Sequence, residues 1–181
     1  MSRSTYNSPI FLVPKLHGQG MRAVLDYRAV NLKLKPDRYT IREIRDCIDE
    51  IGLAGSNTFT TIDLISGFWQ QALDKKSRLM TSFTVPGKGT RYQWTVNLMG
   101  LQGSPASFAR LIDYVFRGIS GVITYLDDVL THSKGHEEQL RLLEETLLHL
   151  RKYNLKLNAA KSVFGAATVH YLGYNISGEG I

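Results

Sequence analysis

The sequence predicts an α+β fold in which an antiparallel sheet is covered by helices on one face. Two long segments, 104–118 and 136–154, carry apolar residues at helical spacing. Short β-rich runs such as 57–65 lie before and between these helices, and glycine-containing turns join several of them. Because strands and helices do not alternate regularly, the order favours α+β over a parallel βαβ arrangement.

The first half of the chain contains predicted hairpins and one helix. Segments 9–15 and 22–27 are predicted strands of a hairpin with a basic rim, and 79–85 and 92–98 are predicted strands around a glycine-rich loop. Between these hairpins, 40–52 is a predicted helix, with Gly52 as its end. Its apolar positions have helical spacing and are Ile41, Ile44, Ile48 and Ile51.

The second half contains the two clearest helices and a closing hairpin. Ser104 is the predicted N-cap of the first helix, Pro105 its first position and Gly118 its end. The second helix is predicted to point four leucines inward: Leu140, Leu143, Leu147 and Leu150. Residues 168–177 are a predicted hairpin with its turn near Leu172–Gly173.

Composition limits the possible partners and the compartment. The 181 residues include 22 Lys and Arg against 16 Asp and Glu, a formal charge of +6 that suits a polyanionic partner such as nucleic acid. Cys47 is the single cysteine, which excludes an internal disulfide and a cysteine-cluster metal site and fits a reducing compartment. The N-terminus lacks the apolar core of a signal peptide, and no apolar run reaches membrane-spanning length.

Two adjacent acids, Asp127 and Asp128, interrupt the apolar run GVITYLDDVLTHS at 121–133. Since desolvating a carboxylate is costly, this placement needs an explanation. One reading is a hairpin turn in which aspartate caps the backbone locally. The other is a divalent cation site, because hard carboxylate oxygens suit Mg²⁺. The second reading needs a further acid, and Asp63 in TTIDLISGF is the candidate, although Asp63 alone also fits a helix N-cap.

The segment YLDD at 125–128 resembles the Tyr-X-Asp-Asp motif of reverse transcriptases. Five other segments resemble motifs of the same family in the family's order: 13–31, 60–68, 101–108, 157–165 and 170–177. Together they cover essentially the whole chain, and the likeness is greatest to long-terminal-repeat elements of the gypsy and retroviral type. The resemblance implies a right-hand polymerase fold with fingers and an antiparallel palm sheet.

The resemblance also implies roles for the acids and for one lysine. Asp63 and Asp127 would ligate two Mg²⁺ or Mn²⁺ ions, and Asp128 would support the site. Lys161 matches a lysine that would protonate the leaving pyrophosphate, although a plain surface lysine is the alternative. Crowded carboxylates have raised pKa values without cations, so we expect the site to be poorly formed in the metal-free protein.

Four residues are expected, by the same resemblance, to bind the incoming nucleotide. Lys15 and Arg22 match the basic residues that hold the triphosphate, and solvated surface charges are the alternative. Phe68 matches an aromatic steric gate that excludes a 2′-hydroxyl, and ordinary core packing is the alternative. Met99 stands where retroviral enzymes have a glutamine, which supports the gypsy-type branch and removes one polar contact.

Residues expected to contact template or primer lie in three turns. They are Gly103, Ser104 and Pro105 under the templating base, Tyr125 and Leu126 beside the acidic turn, and Leu172 and Gly173 in the primer-grip hairpin. For the hairpin, a plain turn is the alternative. The resemblance places residues 1–60 and 76–104 in the fingers, and 61–75 and 105–181 in the palm. The thumb, connection and RNase H regions are expected to lie outside this sequence.

The predicted function is therefore RNA-directed DNA synthesis, in which deoxynucleotides are added to a primer by a two-metal mechanism within a retroelement polyprotein. The expected partners are primed RNA or DNA template, deoxynucleoside triphosphates and other regions of the polyprotein, with no membrane. The expected location is the cytoplasm, for example in a virus-like particle. The alternative is a non-catalytic, domesticated nucleic-acid-binding remnant. A viral RNA-dependent RNA polymerase palm is a third reading, which Phe68 and YLDD disfavour.

Overall fold

The computed structural model describes residues 2–14 and 20–181. Its helices are α1 (Arg28–Asn31), α2 (Ile44–Ala54), α3 (Lys75–Met80), α4 (Ser104–Val115) and α5 (His136–Lys152). Its strands are β1 (Ile10–Pro14), β2 (Met21–Leu25), β3 (Thr58–Asp63), β4 (Phe83–Thr84), β5 (Arg91–Tyr92), β6 (Val122–Tyr125), β7 (Asp128–Ser133), β8 (Val163–Ala166), β9 (Thr168–Tyr171) and β10 (Tyr174–Ser177). All of the named strand pairs are antiparallel, so the predicted α+β class is confirmed.

The chain forms two compact units. The first unit consists of Met1–Asp37 and Phe68–Pro105, and the second unit of Arg38–Gly67 and Ala106–Ile181. The assignment of residues to fingers and palm stays a prediction. Within the described residues, no helix has both the length and the apolar character needed to cross a membrane.

The first unit contains two short hairpins. Strands β1 and β2 pair from Ile10 opposite Leu25 to Pro14 opposite Met21, as the sequence predicts. The predicted strand at 79–85 is largely wrong, since α3 includes its first two residues. Asp74 causes this difference, because its carboxylate accepts hydrogen bonds from the N–H groups of Lys76 and Ser77 and so begins a helix.

The second unit is built on a four-stranded sheet with the order β6-β7-β3-β8. On one face, α2 and the β9–β10 hairpin enclose a core that includes Cys47, Phe59, Leu130 and Ile176. Helix α2 starts later than predicted and continues through Gly52, because it is Gly55 that adopts the left-handed conformation ending the helix, at φ 61°.

Helix α5 covers the opposite face of this sheet, so helices lie on both faces rather than on one. Gln139 is buried, and its amide nitrogen donates to the hydroxyl groups of Thr60 (2.8 Å) and Thr131 (2.6 Å). Because this sheet face carries threonines, the inward side of α5 is partly polar, and its buried residues are Gln139, Leu142, Thr146 and Leu150. The prediction that Leu140 and Leu147 point inward is wrong, since both are exposed.

Candidate active site

Strand pairing brings two of the predicted acids together. Asp63 ends β3 and Asp128 begins β7, and these residues are direct partners in the antiparallel register. Directly opposite residues on antiparallel strands point to the same face, so both carboxylates lie on one face at the end of the sheet. Tyr125 of β6 is the partner of Asp128 on its other side and shares that face.

Asp127 lies in the two-residue turn between β6 and β7. Leu126, the first residue of this turn, has φ 55°, a left-handed conformation that leucine rarely adopts. Holding a non-glycine residue in this conformation costs about 1–3 kcal/mol of folding free energy, so the conformation persists only where the surrounding structure enforces it. The backbone of the turn therefore fixes where the Asp127 side chain leaves the sheet.

Gly67 provides the space beside Asp127. A Cβ atom at this glycine would lie 3.1 Å from the Cβ of Asp127 and 3.0 Å from the ring of Phe108. Phe108 is fully buried on α4 and cannot move away easily. Gly67 is therefore required for the observed position of the acidic turn.

The electrostatics of the turn follow from this crowding. Asp128 is exposed at the surface, but neighbouring protein atoms still partly exclude water from its carboxylate, and this desolvation raises its pKa. The negative charges of Asp127 and Asp63 raise the pKa further. A cation placed among the three acids would reverse this repulsion.

A loop after α5 holds the backbone of Asp63 on both sides. The Asp63 N–H donates to the hydroxyl oxygen of Ser162 (3.1 Å), and that hydroxyl donates to the carbonyl of Asn158 (2.8 Å). The N–H of Asn158 in turn donates to the carbonyl of Asp63 (2.8 Å). This loop belongs to the segment 157–165 that resembles a reverse transcriptase motif, and it fixes the end of β3.

A cleft of about 320 Å³ lies on the acidic face. Asp63, Asp128 and Lys161 line it together with Leu172 and Gly173 of the β9–β10 turn. The structure thus brings the predicted lysine and the predicted primer-grip turn to the same cleft as two of the acids.

The β9–β10 turn is fixed to the acidic strand. Its two central residues, Leu172 and Gly173, have φ 51° and 89°, as a tight hairpin turn requires. Next to it, the hydroxyl of Tyr171 donates to the backbone oxygen of Asp128 at 3.4 Å. Burial raises the pKa of Tyr171, which keeps this hydroxyl protonated as a donor.

Three of the four predicted nucleotide-binding residues are described by the structure, and all three belong to the first unit. Lys15 lies outside the described residues, whereas Arg22 is exposed on β2 opposite Val13. Phe68 is half-buried in a 3-10 helix at Gly67–Gln70, and Met99 is exposed.

The predicted template-binding turn, Gly103–Ser104–Pro105, follows a loop held by two asparagines. The Asn31 amide donates to the carbonyl of Gly100 (2.9 Å), and its side-chain oxygen accepts from the N–H of Gln102 (2.9 Å). The buried hydroxyl of Ser104 donates to the side chain of Asn97. These hydrogen bonds fix the turn within the first unit.

Sequence reasoning missed three residues that support the acids: Gly67, Ser162 and Tyr171. All three lie inside segments that resemble family motifs, but the sequence gives no sign of what each one contacts. The proximity of Gly67 to Asp127 and the hydrogen bond between Ser162 and Asp63 both join residues distant in the chain.

The three aspartates are the candidate ligands for a divalent cation. Among the described residues, no group of three His, Cys, Asp or Glu side chains is arranged to hold a metal ion. Mg²⁺, however, is commonly held by one or two carboxylates together with substrate phosphates rather than by a complete protein cage. Asp63, Asp127 and Asp128 offer hard oxygen donors of this kind beside an open cleft, so the chemistry of the donors fits.

These features coincide with a known family. Residues 13–176 match the family model described as reverse transcriptase (RNA-dependent DNA polymerase), and the chain belongs to this family. Two similar curated proteins are retrovirus-related Pol polyproteins of Drosophila melanogaster. The one from transposon 412 is 37% identical over 187 residues, covering 99% of this chain and 15% of the relative. The one from transposon gypsy is 34% identical over 186 residues, covering 99% and 18%.

Solved structures show the same fold. A foamy viral protease-reverse transcriptase in complex with double-stranded DNA matches with a TM-score of 0.85 and 30% identity, covering 99% of this chain and 31% of that chain. The same viral protein in complex with an RNA/DNA hybrid matches with a TM-score of 0.84 and 29% identity, covering 98% and 23%. The chain thus has the reverse transcriptase polymerase fold and spans less than a fifth of the two curated relatives.

Proposed function

We propose that this chain is the catalytic core of an RNA-directed DNA polymerase within a retroelement polyprotein, and that it extends primers by a two-metal mechanism. The observation that carries the proposal is the pairing of Asp63 with Asp128 beside the strained turn that presents Asp127. Membership of the reverse transcriptase family supports the same activity.

Asp63 and Asp127 are the proposed ligands of two Mg²⁺ or Mn²⁺ ions, with Asp128 supporting the site. Such ions supply charge stabilisation for the attacking 3′-hydroxyl oxygen and for the triphosphate. The chain itself contributes position, because the hydrogen bonds of Ser162 and Tyr171 hold the backbones of Asp63 and Asp128. Preorganised charge of this kind needs no rearrangement during the reaction.

The remaining roles follow from the cleft and from the family resemblance. Lys161 lines the cleft with the acids and is the proposed proton donor to the leaving pyrophosphate. Leu172 and Gly173 are the proposed primer grip. The other proposed contacts are Lys15, Arg22, Phe68 and Met99 for the nucleotide, and Gly103, Ser104, Pro105, Tyr125 and Leu126 for template and primer.

Primed RNA or DNA template is the proposed macromolecular partner. The formal charge of +6 suits a phosphate backbone, and the similar viral proteins were solved with double-stranded DNA and with an RNA/DNA hybrid. The regions of the polyprotein that this chain does not span are further proposed partners in holding the duplex.

Primer extension tests the proposal. The chain is mixed with poly(rA)/oligo(dT), dTTP and Mg²⁺ or Mn²⁺, and compared with Asp127→Asn and with Asp49→Asn, a control at an exposed aspartate of α2. We expect extension by the parent chain and the control, and none by Asp127→Asn. Duplex binding without extension, persisting when the following polyprotein region is appended, would instead support the non-catalytic binding remnant.

A further inference from the structure

A buried side-chain amide joins two turns that carry proposed substrate contacts. Asn97 and Ser104 are each only 3% exposed. The Nδ2 group of Asn97 donates to the side-chain oxygen of Gln71 (2.8 Å) and to the carbonyl of Ser104 (3.4 Å). Its Oδ1 accepts from the hydroxyl of Ser104 and from the backbone N–H of Leu98 (2.8 Å). These four hydrogen bonds use the full capacity of a side-chain amide.

Backbone hydrogen bonds continue this network towards Phe68. The N–H of Asn97 donates to the carbonyl of Gln71 (2.7 Å), and the N–H of Gln71 donates to the carbonyl of Phe68 (3.2 Å). The backbone therefore holds Gln71 beside Asn97, and the Asn97 side chain connects Ser104 to the same assembly.

Each proposed contact in this region lies at a bonded residue or close to one. Ser104, a proposed template contact, is bonded to Asn97 directly, and Met99, a proposed nucleotide contact, is two positions after Asn97. Phe68, the proposed sugar gate, is reached through the backbone of Gln71. All of these residues belong to the first unit, whereas the proposed metal ligands belong to the second.

We infer that Asn97 is a positioning residue for substrate selection, because its amide fixes the sugar gate at Phe68 relative to the template turn at Ser104. The inference rests on the proposed function, from which the roles of Phe68 and Ser104 are taken. A steric gate depends on fit, so a small displacement of the ring relative to the template weakens discrimination between sugars. Since the metal ligands lie in the other unit, loss of the amide should affect nucleotide binding more than the maximal rate.

Single-nucleotide incorporation on poly(rA)/oligo(dT), with dTTP and with UTP, tests the inference in the parent chain and four variants. Asn97→Leu removes the amide with little change in side-chain size. Gln71→Met removes one acceptor at a half-buried position, where a loss of folding is less of a risk, and Gln71→Glu keeps the acceptor oxygen. Gln93→Met is the control, because it removes a glutamine oxygen that accepts from Ser2 elsewhere in the same unit.

The expected change is in substrate selection. For Gln71→Met we expect the KM for dTTP to rise at least about fivefold and the preference for dTTP over UTP to fall at least about threefold, while kcat changes by less than about twofold. Asn97→Leu should show the same changes in KM and preference, to a larger extent. Gln71→Glu and Gln93→Met should stay within about twofold of the parent in all three quantities.

Three kinetic results would overturn the inference. The first is an unchanged KM and an unchanged preference in both Asn97→Leu and Gln71→Met. The second is a fall in kcat alone, which a smaller folded fraction would also cause. The third is a Gln71→Glu variant that behaves like Gln71→Met, since the acceptor oxygen would then be irrelevant.

A parent chain that does not extend primers would contradict the proposed function, and tryptophan fluorescence then tests the inference without activity. The chain has two tryptophans, and the ring of Trp69, next to Phe68, lies 5.6 Å from the ring of Trp94. Movement of the Phe68 turn should therefore shift the emission of Asn97→Leu relative to the parent and to Gln93→Met. Unchanged emission, in a variant whose circular dichroism matches the parent, would overturn the inference.

Discussion

The hydroxyl oxygen of Ser162 accepts a hydrogen bond from the Asp63 backbone N–H at 3.1 Å, and the same hydroxyl donates a hydrogen bond to the carbonyl of Asn158 at 2.8 Å. One serine thus joins the loop after α5 to the end of the strand that carries a proposed metal ligand. Without the Ser162 hydroxyl the Asp63 N–H would lose its acceptor, and an unsatisfied, partly buried N–H costs about 1–3 kcal/mol of folding free energy.

We expect Ser162→Ala to lower the rate of primer extension by roughly tenfold, because Asp63 would lose its fixed position. Ser162→Thr keeps the hydroxyl and should retain most of the activity. The rate of single-nucleotide incorporation at saturating substrate reports the loss of positioning. Thermal unfolding of the same variants, measured in parallel, shows whether the substitution has instead destabilised the fold. Equal rates for the parent and Ser162→Ala would show that this contact does not position Asp63 for catalysis.

Gly67→Ala is predicted to displace the acidic turn. Its Cβ would lie 3.0 Å from the buried ring of Phe108 and 3.1 Å from the Cβ of Asp127, so one of them must shift. We expect extension to fall by at least tenfold, since a small misplacement of a catalytic group has a large kinetic effect. Gly135→Ala, where an added Cβ meets nothing within 4 Å, is the matched control. Full activity of Gly67→Ala would contradict the proposed role of Asp127.

Phe68→Ala tests the proposed steric gate. An aromatic ring beneath the sugar leaves no room for a 2′-hydroxyl, so its removal should allow ribonucleotides to be incorporated while deoxynucleotide addition continues. Extension of the same primer with UTP and with dTTP measures the ratio. An unchanged preference for dTTP would exclude Phe68 as the gate.

The stability of the second unit is predicted to fall in mild acid because of His132. This imidazole is only 8% exposed, its Nδ1 lies 2.8 Å from the hydroxyl of Ser56, and its Nε2 has no hydrogen-bond partner in the described part of the chain. Burial lowers the pKa of His132 below its ordinary value of 6.5. The folded state therefore favours the neutral ring.

Protonation consequently favours unfolding. Below the unfolded pKa, the unfolded chain binds a proton that the folded chain resists, so the free energy of unfolding decreases as the pH falls. Urea denaturation between about pH 7.5 and about pH 5 should show this decrease in the parent and a smaller one in His132→Gln. His136→Gln, at an exposed position on α5, is the control and should follow the parent. If the free energy of unfolding of His132→Gln decreased with falling pH as steeply as that of the parent, titratable groups other than His132 would be responsible for the decrease.

Much of this fold follows from local sequence patterns. The segment 104–118, predicted as a helix from its apolar spacing, forms α4 with Phe108 and Ile112 buried, and the hairpin turn at Leu172–Gly173 forms where expected. The errors have tertiary causes. Gln139 is buried because Thr60 and Thr131 on the sheet accept hydrogen bonds from its side-chain amide. The residue pattern of α5 alone cannot predict this burial, since the threonines belong to strands elsewhere in the chain.

The candidate site shows the same limit. The acids could be selected from the sequence because a carboxylate at the end of an apolar strand is unusual, and the family motifs named the same residues. The residues that hold these acids in place could not be predicted from the sequence. The hydrogen bond between Ser162 and Asp63 joins residues nearly a hundred positions apart, and the left-handed conformation of Leu126 exists only in the folded turn. Contacts of this kind depend on packing rather than on local pattern.

We propose that Asp63, Asp127 and Asp128 together hold divalent cations for nucleotide addition. Mn²⁺ binding, measured by electron paramagnetic resonance with primed template and a non-hydrolysable dTTP analogue present, tests this proposal. We predict saturable binding by the parent and by Asp49→Asn, and at least tenfold weaker binding by Asp63→Asn and Asp127→Asn. Equal Mn²⁺ affinity in all four proteins would contradict the claim.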